Sequence, residues 1–252
     1  MSAVLSACNG HAVYSNESRI AGRYRTVPAI NGSMRVGTSK RWRGAALNTP
    51  VLLQAYHSLL ARAPHLDHDW VVKLDLDTAV SIPRLRTVLR LFDPANPIAL
   101  SLKSWMVDGK YHTSVDGPLI AMSRAAFDRY SKVADKCETS IDYSDIGDDY
   151  YLGLCMQDRI NLVPLPGFVR DTTYTRLPNT SRLIGFHGLK RVTEYHTRSQ
   201  QLRSLGPITS SQVWCDDDHG KTTHGAPSLA GRHTVPRQSR EKNLHAPAPF
   251  TS

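Results

Sequence analysis

The chain has few cysteines, no long apolar run and no dense basic segment, and each shortage argues against a class of protein. Its four cysteines are widely scattered without a CxxC pair, which argues against a structural zinc site. No stretch approaches the roughly 20 apolar residues that a membrane helix needs. The net charge is +9, but Lys and Arg are dispersed, so we expect a solvated basic surface and no nucleic-acid partner.

The two ends of the sequence carry little that would build a core. The opening segment, MSAVLSACNGHAVYSNES, lacks the basic flank and the unbroken apolar stretch of a secretory signal, so no signal or anchor is predicted from this chain. From Gly206 onward the chain is rich in Gly, Pro, Ser, Thr and His and poor in paired apolar residues. Such a composition cannot offset the entropy lost on ordering. We predict one domain over residues 1–205 and a disordered tail over 206–252.

Between these ends, helix-like and strand-like segments alternate. Helices are predicted where apolar residues repeat on one face or a capping residue leads, in NTPVLLQAYHSLLARAP, IPRLRTVLRLFDP, RAAFDRYSKVA and DDYYLGLCMQ. Strands are predicted for HDWVVKLD, PIALSLKSW, GPLIAMS and INLVPL. Thr49 and Ser123 are placed to cap helices, and HDWVVKLD is apolar enough to lie inside a sheet covered on both faces. The alternation predicts an α/β fold.

Two carboxylates, Asp75 and Asp77, come directly after the apolar, strand-like run that begins the segment WVVKLDLDTAV. On an extended backbone, residues two apart point to the same side, so both can reach one cation while Leu76 faces the other way into packing. Oxygen ligands of this kind suit Mg²⁺ or Mn²⁺ with substrate phosphates. Ligands of open α/β sheets bind beyond the carboxyl ends of the strands, so we expect a metal-phosphate site here.

Two other interpretations of this DxD pattern fit less well. A calcium loop of EF-hand type requires glycine and glutamate where Val80 and Arg86 stand, and it is rejected. The segment also resembles the DxDx[TV] strand end of haloacid dehalogenase-like Mg²⁺ phosphatases, with GDD at 147–149 as their later acidic segment. Ala79 occupies the usual Thr/Val position of that pattern, so the phosphatase is kept as a minor alternative.

Four blocks in order resemble fringe-like and core 1 galactosyltransferase-like β-1,3-glycosyltransferases. The resemblance covers about residues 45 to 196, and its blocks read HDWVVKLDLDTAVSIPRLRTVL, GPLIAMSRAAF, GDDYYLGLCMQ and GFHGLKRVTEYH. The resemblance implies a GT-A-like α/β fold, a mixed sheet flanked by helices. The first nucleotide-binding strand of such enzymes is not visible before these blocks, so we expect that the chain lacks it or carries it in a diverged form.

The resemblance also implies roles for particular residues. Asp75, Asp77 and His187 would bind Mn²⁺, and Asp75 and Gly117 would contact the UDP-sugar donor. Asp149 would be the base that accepts the proton of the acceptor hydroxyl. Weaker candidates follow from residue type alone: Trp105 and Tyr111 to stack on sugar rings, and Lys73 and Arg43 to contact phosphate. A DLD segment at a strand end is alternatively a solvated turn with a helix-start charge, and without the resemblance the acidic pair is an ordinary helix start.

The implied activity is inverting transfer of a hexose or N-acetylhexosamine from a UDP-sugar to a hydroxyl of a glycan or glycoprotein. The implied compartment is the lumen of the Golgi or endoplasmic reticulum, where such transferases work. Two alternatives remain: a noncatalytic relative of the same fold that binds glycans or nucleotides, and the phosphatase.

Overall fold

A computed structural model describes most of the chain up to residue 208. The described ranges are 7–21, 24–40, 46–101, 106–107, 110–111, 117–165, 168–171 and 183–208. All of them belong to one compact unit, Met1–Val213. Most of the predicted tail, residues 209–252, lies outside the described ranges, whereas Ile208 is buried in the core.

The described residues form a mixed α/β fold, as the sequence predicts. Its six α-helices are α1 (Thr49–Arg62), α2 (Ile82–Leu89), α3 (Arg124–Ser131), α4 (Ala134–Ser140), α5 (Asp148–Met156) and α6 (Val192–Ser204), with a 3-10 turn over Pro64–Asp67. Pro50 and Pro83 lie in the first turns of α1 and α2, where a missing N–H costs nothing. None of the described helices is both long enough and apolar enough to cross a lipid bilayer.

The two predicted helix caps have different outcomes. Ser123 caps α3 as expected, because its hydroxyl accepts a hydrogen bond from the Ala126 N–H at 3.1 Å. The predicted cap at Thr49 is wrong. Thr49 lies inside α1, and its buried hydroxyl donates to the Ile146 carbonyl at 2.9 Å, so it joins α1 to the segment that precedes α5.

The main sheet has four strands, β5 (Trp70–Leu74), β7 (Ile98–Ser101), β10 (Leu119–Ser123) and β11 (Asn161–Pro164). Their order across the sheet is β11, β7, β10, β5. Strand β10 runs antiparallel to β5 and β7, and β11 is parallel to β7. The prediction that the HDWVVKLD strand lies inside the sheet is wrong: among the described residues β5 is an edge strand, and Val72 is 38% exposed.

A smaller three-stranded sheet joins the DLD segment to the late histidine. It contains β6 (Ala79–Val80), β12 (Val169–Asp171) and β13 (Gly185–His187) in the order β12, β13, β6. Strand β13 is parallel to β12 and antiparallel to β6. The other short strands are β1 (Tyr14–Ser15), β2 (Ile20–Ala21), β3 (Tyr24–Arg25), β4 (Val27–Pro28), β8 (Met106–Val107) and β9 (Lys110–Tyr111).

Core side chains cover both faces of the main sheet. Alternate residues of β10 point to opposite faces: Ile120 and Met122 join one cluster, and Leu119 and Ala121 join another. The first cluster also contains Tyr56, Phe127, Tyr130 and Tyr151, and the second contains Leu85, Val88, Phe168 and Ile184. The sheet is therefore packed on both sides, and this fixes the strand ends that carry the acidic residues.

A disulfide bond between Cys137 and Cys155 joins α4 to α5. The sequence alone did not assign this pair. Disulfides of this kind stabilise a protein by about 2–4 kcal/mol, and they persist chiefly in oxidising compartments. The bond holds α5, the helix that begins with Asp148 and Asp149, against the core.

Candidate metal and catalytic site

The two aspartates of the DLD segment lie in a tight turn that links β5 to β6. The Asp75 N–H donates to the Pro118 carbonyl at 3.2 Å, and the Thr78 N–H donates to the Asp75 carbonyl at 3.1 Å. Leu76, predicted to face into packing, is 68% exposed. The reason is that the backbone turns here instead of continuing as a strand, so the aspartates share a side through the turn and not through strand alternation.

Asp75, Asp77 and His187 come together as a triad. Each offers one ligand atom, and these three atoms all lie within 4.8 Å of one another. The His187 Nε2 atom is 3.6 Å from Asp77 Oδ1, and both side chains are about one-fifth exposed. Two carboxylates and an imidazole, half-buried at the edge of a packed sheet, form a donor set that could hold a metal ion.

Pairing between β6 and β13 brings His187 to the aspartates. Phe186 is paired with Ala79 and Gly185 with Val80, so the residue that follows Phe186 lies beside the end of the DLD turn. Beyond it, Gly188 has a φ of +81°, a conformation that glycine adopts without strain. This turn lets the Leu189 N–H donate to the Asp77 carbonyl at 3.0 Å, so the backbone on both sides of the triad is fixed.

We expect Gly185→Ala to loosen this site. A Cβ at Gly185 would lie 2.9 Å from the Ala79 carbonyl oxygen, so the β6–β13 pair must shift, at a cost of about 1–3 kcal/mol. Thermal unfolding would measure the loss of stability, and calorimetric titration with divalent cations would measure any loss of metal affinity at the triad. Gly206→Ala is the matched control, since a Cβ there meets no atom within 4 Å. Equal stability of both variants would contradict the expected clash.

Lys73 is the cation at the buried side of the site. Its ammonium group lies 2.5 Å from Asp75 Oδ1 and 2.7 Å from Asp148 Oδ2, and it donates to the Gly117 carbonyl at 2.8 Å. Burial alone lowers the pKa of Lys73, but the charges of Asp148 and Asp75 outweigh burial and raise it above the ordinary value. Lys73 was a weak candidate for a phosphate contact. In the structure its charge compensates two carboxylates of the protein itself.

The carboxyl group of Asp75 also has a raised pKa. Burial is the largest cause, the nearby Lys73 ammonium opposes it, and the charges of Asp148 and Asp77 add to it. Burial and the two neighbouring carboxylates together outweigh the Lys73 ammonium, so the ionised form of Asp75 is disfavoured. A bound divalent cation would supply positive charge and favour the ionised carboxylate.

Asp148 and Asp149 begin α5 and have different partners. Asp148 is buried, pairs with Lys73, and donates its backbone N–H to Asn48 Oδ1 at 3.1 Å. Asp149 accepts hydrogen bonds from the Gly117 N–H at 3.1 Å and the Tyr150 N–H at 2.7 Å. Burial, followed by the charge of Asp148, raises the pKa of Asp149, and its hydrogen bonds offset only part of the rise. Of the two, only Asp149 is partly exposed.

Gly117 connects these groups. Its carbonyl accepts from Lys73 and its N–H donates to Asp149 Oδ2, and a Cβ at this position would lie 3.1 Å from that same oxygen. A side chain at this position would therefore crowd the Asp149 carboxylate. The predicted contact of Gly117 with a donor substrate stays a prediction.

A cavity of about 1050 Å³ opens beside the acidic cluster. Its polar end is lined by Lys73, Asp75, Thr78 and Asp148, and its walls come from β5, α1, α2 and the segment 8–14. Volumes of this order hold small-molecule ligands and cofactors. The cavity follows the outer edge of β5, with which no described strand pairs.

Comparisons with known proteins do not assign the chain to a family. No protein-family model matches it, and no curated protein matches it at a significant level. Its chemistry must therefore be inferred from the side chains that the fold brings together.

Two residues of the site were not predicted from the sequence, and three predicted side chains lie outside the described part of the chain. Lys190 was missed: its ammonium group contacts Asp77 Oδ2. Asn48, which binds the start of α5, was also missed, and nothing in their local sequence marks either residue. Arg43, Trp105 and the side chain of Tyr111 lie outside the described part of the chain.

Proposed function

We propose that the protein is a Mn²⁺-dependent inverting glycosyltransferase with a GT-A-like fold. It moves a hexose or N-acetylhexosamine from a UDP-sugar to a hydroxyl group of a glycan or glycoprotein. The observation that carries the proposal is the convergence of Asp75, Asp77 and His187 within 4.8 Å, because these residues come from two of the four blocks on which the family resemblance rests. An imidazole beside two carboxylates suits Mn²⁺ better than Mg²⁺.

The charge of the site supports binding of a divalent ion. Four carboxylates, those of Asp75, Asp77, Asp148 and Asp149, face two ammonium groups, those of Lys73 and Lys190. When all are ionised, two negative charges remain, which one divalent cation neutralises. Bound there, Mn²⁺ would neutralise the charge that develops on a departing nucleoside diphosphate.

Asp149 is the proposed base. Inverting transfer needs a group that takes the proton of the acceptor hydroxyl while its oxygen attacks the anomeric carbon. Asp149 is partly exposed, is held by the N–H groups of Gly117 and Tyr150, and has a raised pKa, so it binds a proton more readily than an ordinary aspartate. Asp148 is buried in its ion pair with Lys73 and serves to position α5.

The disulfide supports the proposed compartment. Buried Cys137 and Cys155 are bonded to each other, and bonds of this kind are rare in the reducing cytosol. The lumen of the Golgi or endoplasmic reticulum, which the family resemblance implies, provides oxidising conditions.

One feature favours a second candidate, a noncatalytic relative that binds glycans or nucleotides. The outer edge of β5 pairs with no described strand, and the first nucleotide-binding strand that the resemblance implies was not visible in the sequence. A chain without that strand would keep the metal triad and part of the cavity but hold a nucleotide less completely.

Turnover of UDP-sugars separates these candidates. The purified chain with Mn²⁺ is expected to release UDP from at least one sugar nucleotide in a panel, faster when a suitable acceptor is present, and EDTA should stop the release. Coupled detection of UDP provides the measurement. Glycan or UDP binding without release from any donor would favour the noncatalytic relative. Phosphate release from small phosphoesters, lost in Asp75→Asn, would instead support the phosphatase.

A further inference from the structure

An exposed lysine lies against the metal triad. The Lys190 ammonium group contacts Asp77 Oδ2, while Oδ1 of the same carboxylate is 3.6 Å from His187 Nε2. One oxygen of Asp77 thus faces the imidazole of the triad, and the other holds a monovalent cation.

The backbone of Lys190 is fixed, but its side chain is not buried. The preceding residue, Leu189, is buried in a cluster with Phe186 and Leu202 and donates its N–H to the Asp77 carbonyl. Two residues after Lys190, helix α6 begins. The side chain itself is 78% exposed, so the ammonium group can leave Asp77 for another partner nearby without any movement of the backbone.

Lys73 differs from Lys190 in this respect. Its side chain is only 11% exposed, and its ammonium group is held by two carboxylates and one carbonyl. Releasing it would leave buried charges uncompensated, which is costly. The site therefore contains one permanent ammonium group and one that can exchange partners.

We propose that Lys190 is an exchangeable counter-ion: it neutralises Asp77 until a divalent cation binds the triad, and it then binds a phosphate oxygen of a nucleoside diphosphate on that cation. The first half follows from charge, since an ammonium group and a divalent cation on the two oxygens of one carboxylate repel each other. The second half rests on the proposed function, which supplies the diphosphate. A lysine at this place provides a mobile point charge for phosphate.

This role predicts opposite effects on two binding constants. Without the Lys190 charge, Mn²⁺ no longer competes with a resident cation for Asp77, so the metal alone should bind more tightly. The diphosphate loses a charged partner, so UDP should bind more weakly to the Mn²⁺-loaded protein. A lysine that only supported the local fold would weaken both.

Calorimetric titration of the full chain with Mn²⁺, and then of the Mn²⁺-saturated protein with UDP, tests the inference. For Lys190→Gln, we expect Mn²⁺ to bind about twofold to fivefold more tightly and UDP about tenfold more weakly. Lys190→Arg keeps the charge and should restore UDP binding. Lys132→Gln, which removes an exposed lysine at the end of α3, is the charge-matched control, and thermal unfolding checks that each variant is folded.

The outcomes separate this inference from the proposed function. If wild-type protein binds both Mn²⁺ and UDP, but Lys190→Gln leaves both constants unchanged or weakens both, the counter-ion role is wrong and the transferase proposal stands. If Lys190→Gln tightens Mn²⁺ binding without weakening UDP binding, the phosphate contact is wrong. If wild-type protein binds no Mn²⁺, both proposals fail.

Discussion

Asp77→Ala is expected to abolish Mn²⁺ binding and to lower Mn²⁺-dependent transfer by about a thousandfold or more. Asp77 is the triad member that contacts both His187 and the exposed Lys190, one with each carboxylate oxygen. Its removal leaves one imidazole and the Asp75 carboxylate, which is already paired with Lys73. Titration with Mn²⁺ and UDP release at saturating donor measure the two losses.

The fold should survive this change. The Asp77 contact that anchors the following turn uses its backbone carbonyl, which accepts from the Leu189 N–H and is kept in the variant. Asp135→Ala removes an exposed carboxylate from the first turn of α4 and is the control for net charge. If Asp77→Ala kept more than about a tenth of wild-type activity, the loss would fall far short of that expected for a metal ligand, and the metal assignment would be wrong.

Much of the order of elements could be predicted from the sequence because it depends on local patterns. Helices α1, α2, α3 and α5 and strands β5, β7, β10 and β11 all fall where periodicity and capping placed them. Helix α6 escaped prediction since Leu202 is its one buried residue among those described, so it carries no apolar stripe. Strands β6 and β13 are two and three residues long, too short for any periodic signal.

The position of β5 shows a limit of reasoning from hydrophobic content. Its apolar residues predicted a strand inside the sheet, yet β5 lies at the edge, and the cavity runs along it. Apolar residues indicate that a strand packs against other parts of the chain, but they do not indicate which part packs against it. That neighbour is set by pairing with distant parts of the chain, which a single sequence does not reveal.

The candidate site was predictable only where a motif marks a residue. The structure brings Asp75 and Asp77 together with His187, although they are about 110 residues apart in the chain, because β13 pairs with β6. The two lysines that set the charge of the site were not predictable in these roles, since exposed and buried lysines look alike in sequence. Leu76 was misplaced for a related reason: strand alternation was assumed where the chain in fact turns.

Asp149→Asn is expected to lower kcat by about a hundredfold to ten-thousandfold with little effect on Mn²⁺ or UDP binding. The amide cannot accept the acceptor's proton, and Asp149 is not a member of the metal triad. Its amide nitrogen would face either the Gly117 or the Tyr150 N–H, so one hydrogen bond is lost, at about 1 kcal/mol. The Cys137–Cys155 disulfide keeps α5 in place. Asp135→Asn, also in a first helical turn, is the matched control.

The pH dependence of kcat is a second test of Asp149 as the base. Asp149 must be ionised to act as a base, and burial together with the Asp148 charge raises its pKa above the ordinary 3.8. Wild-type kcat should therefore fall as the pH falls through that raised pKa, with saturating Mn²⁺ and donor, at a pH where an ordinary aspartate would still be ionised. Residual turnover by Asp149→Asn should lack this acid limb. If Asp149→Asn kept the same fall of kcat at acidic pH, or kept the wild-type kcat, the base would be another residue.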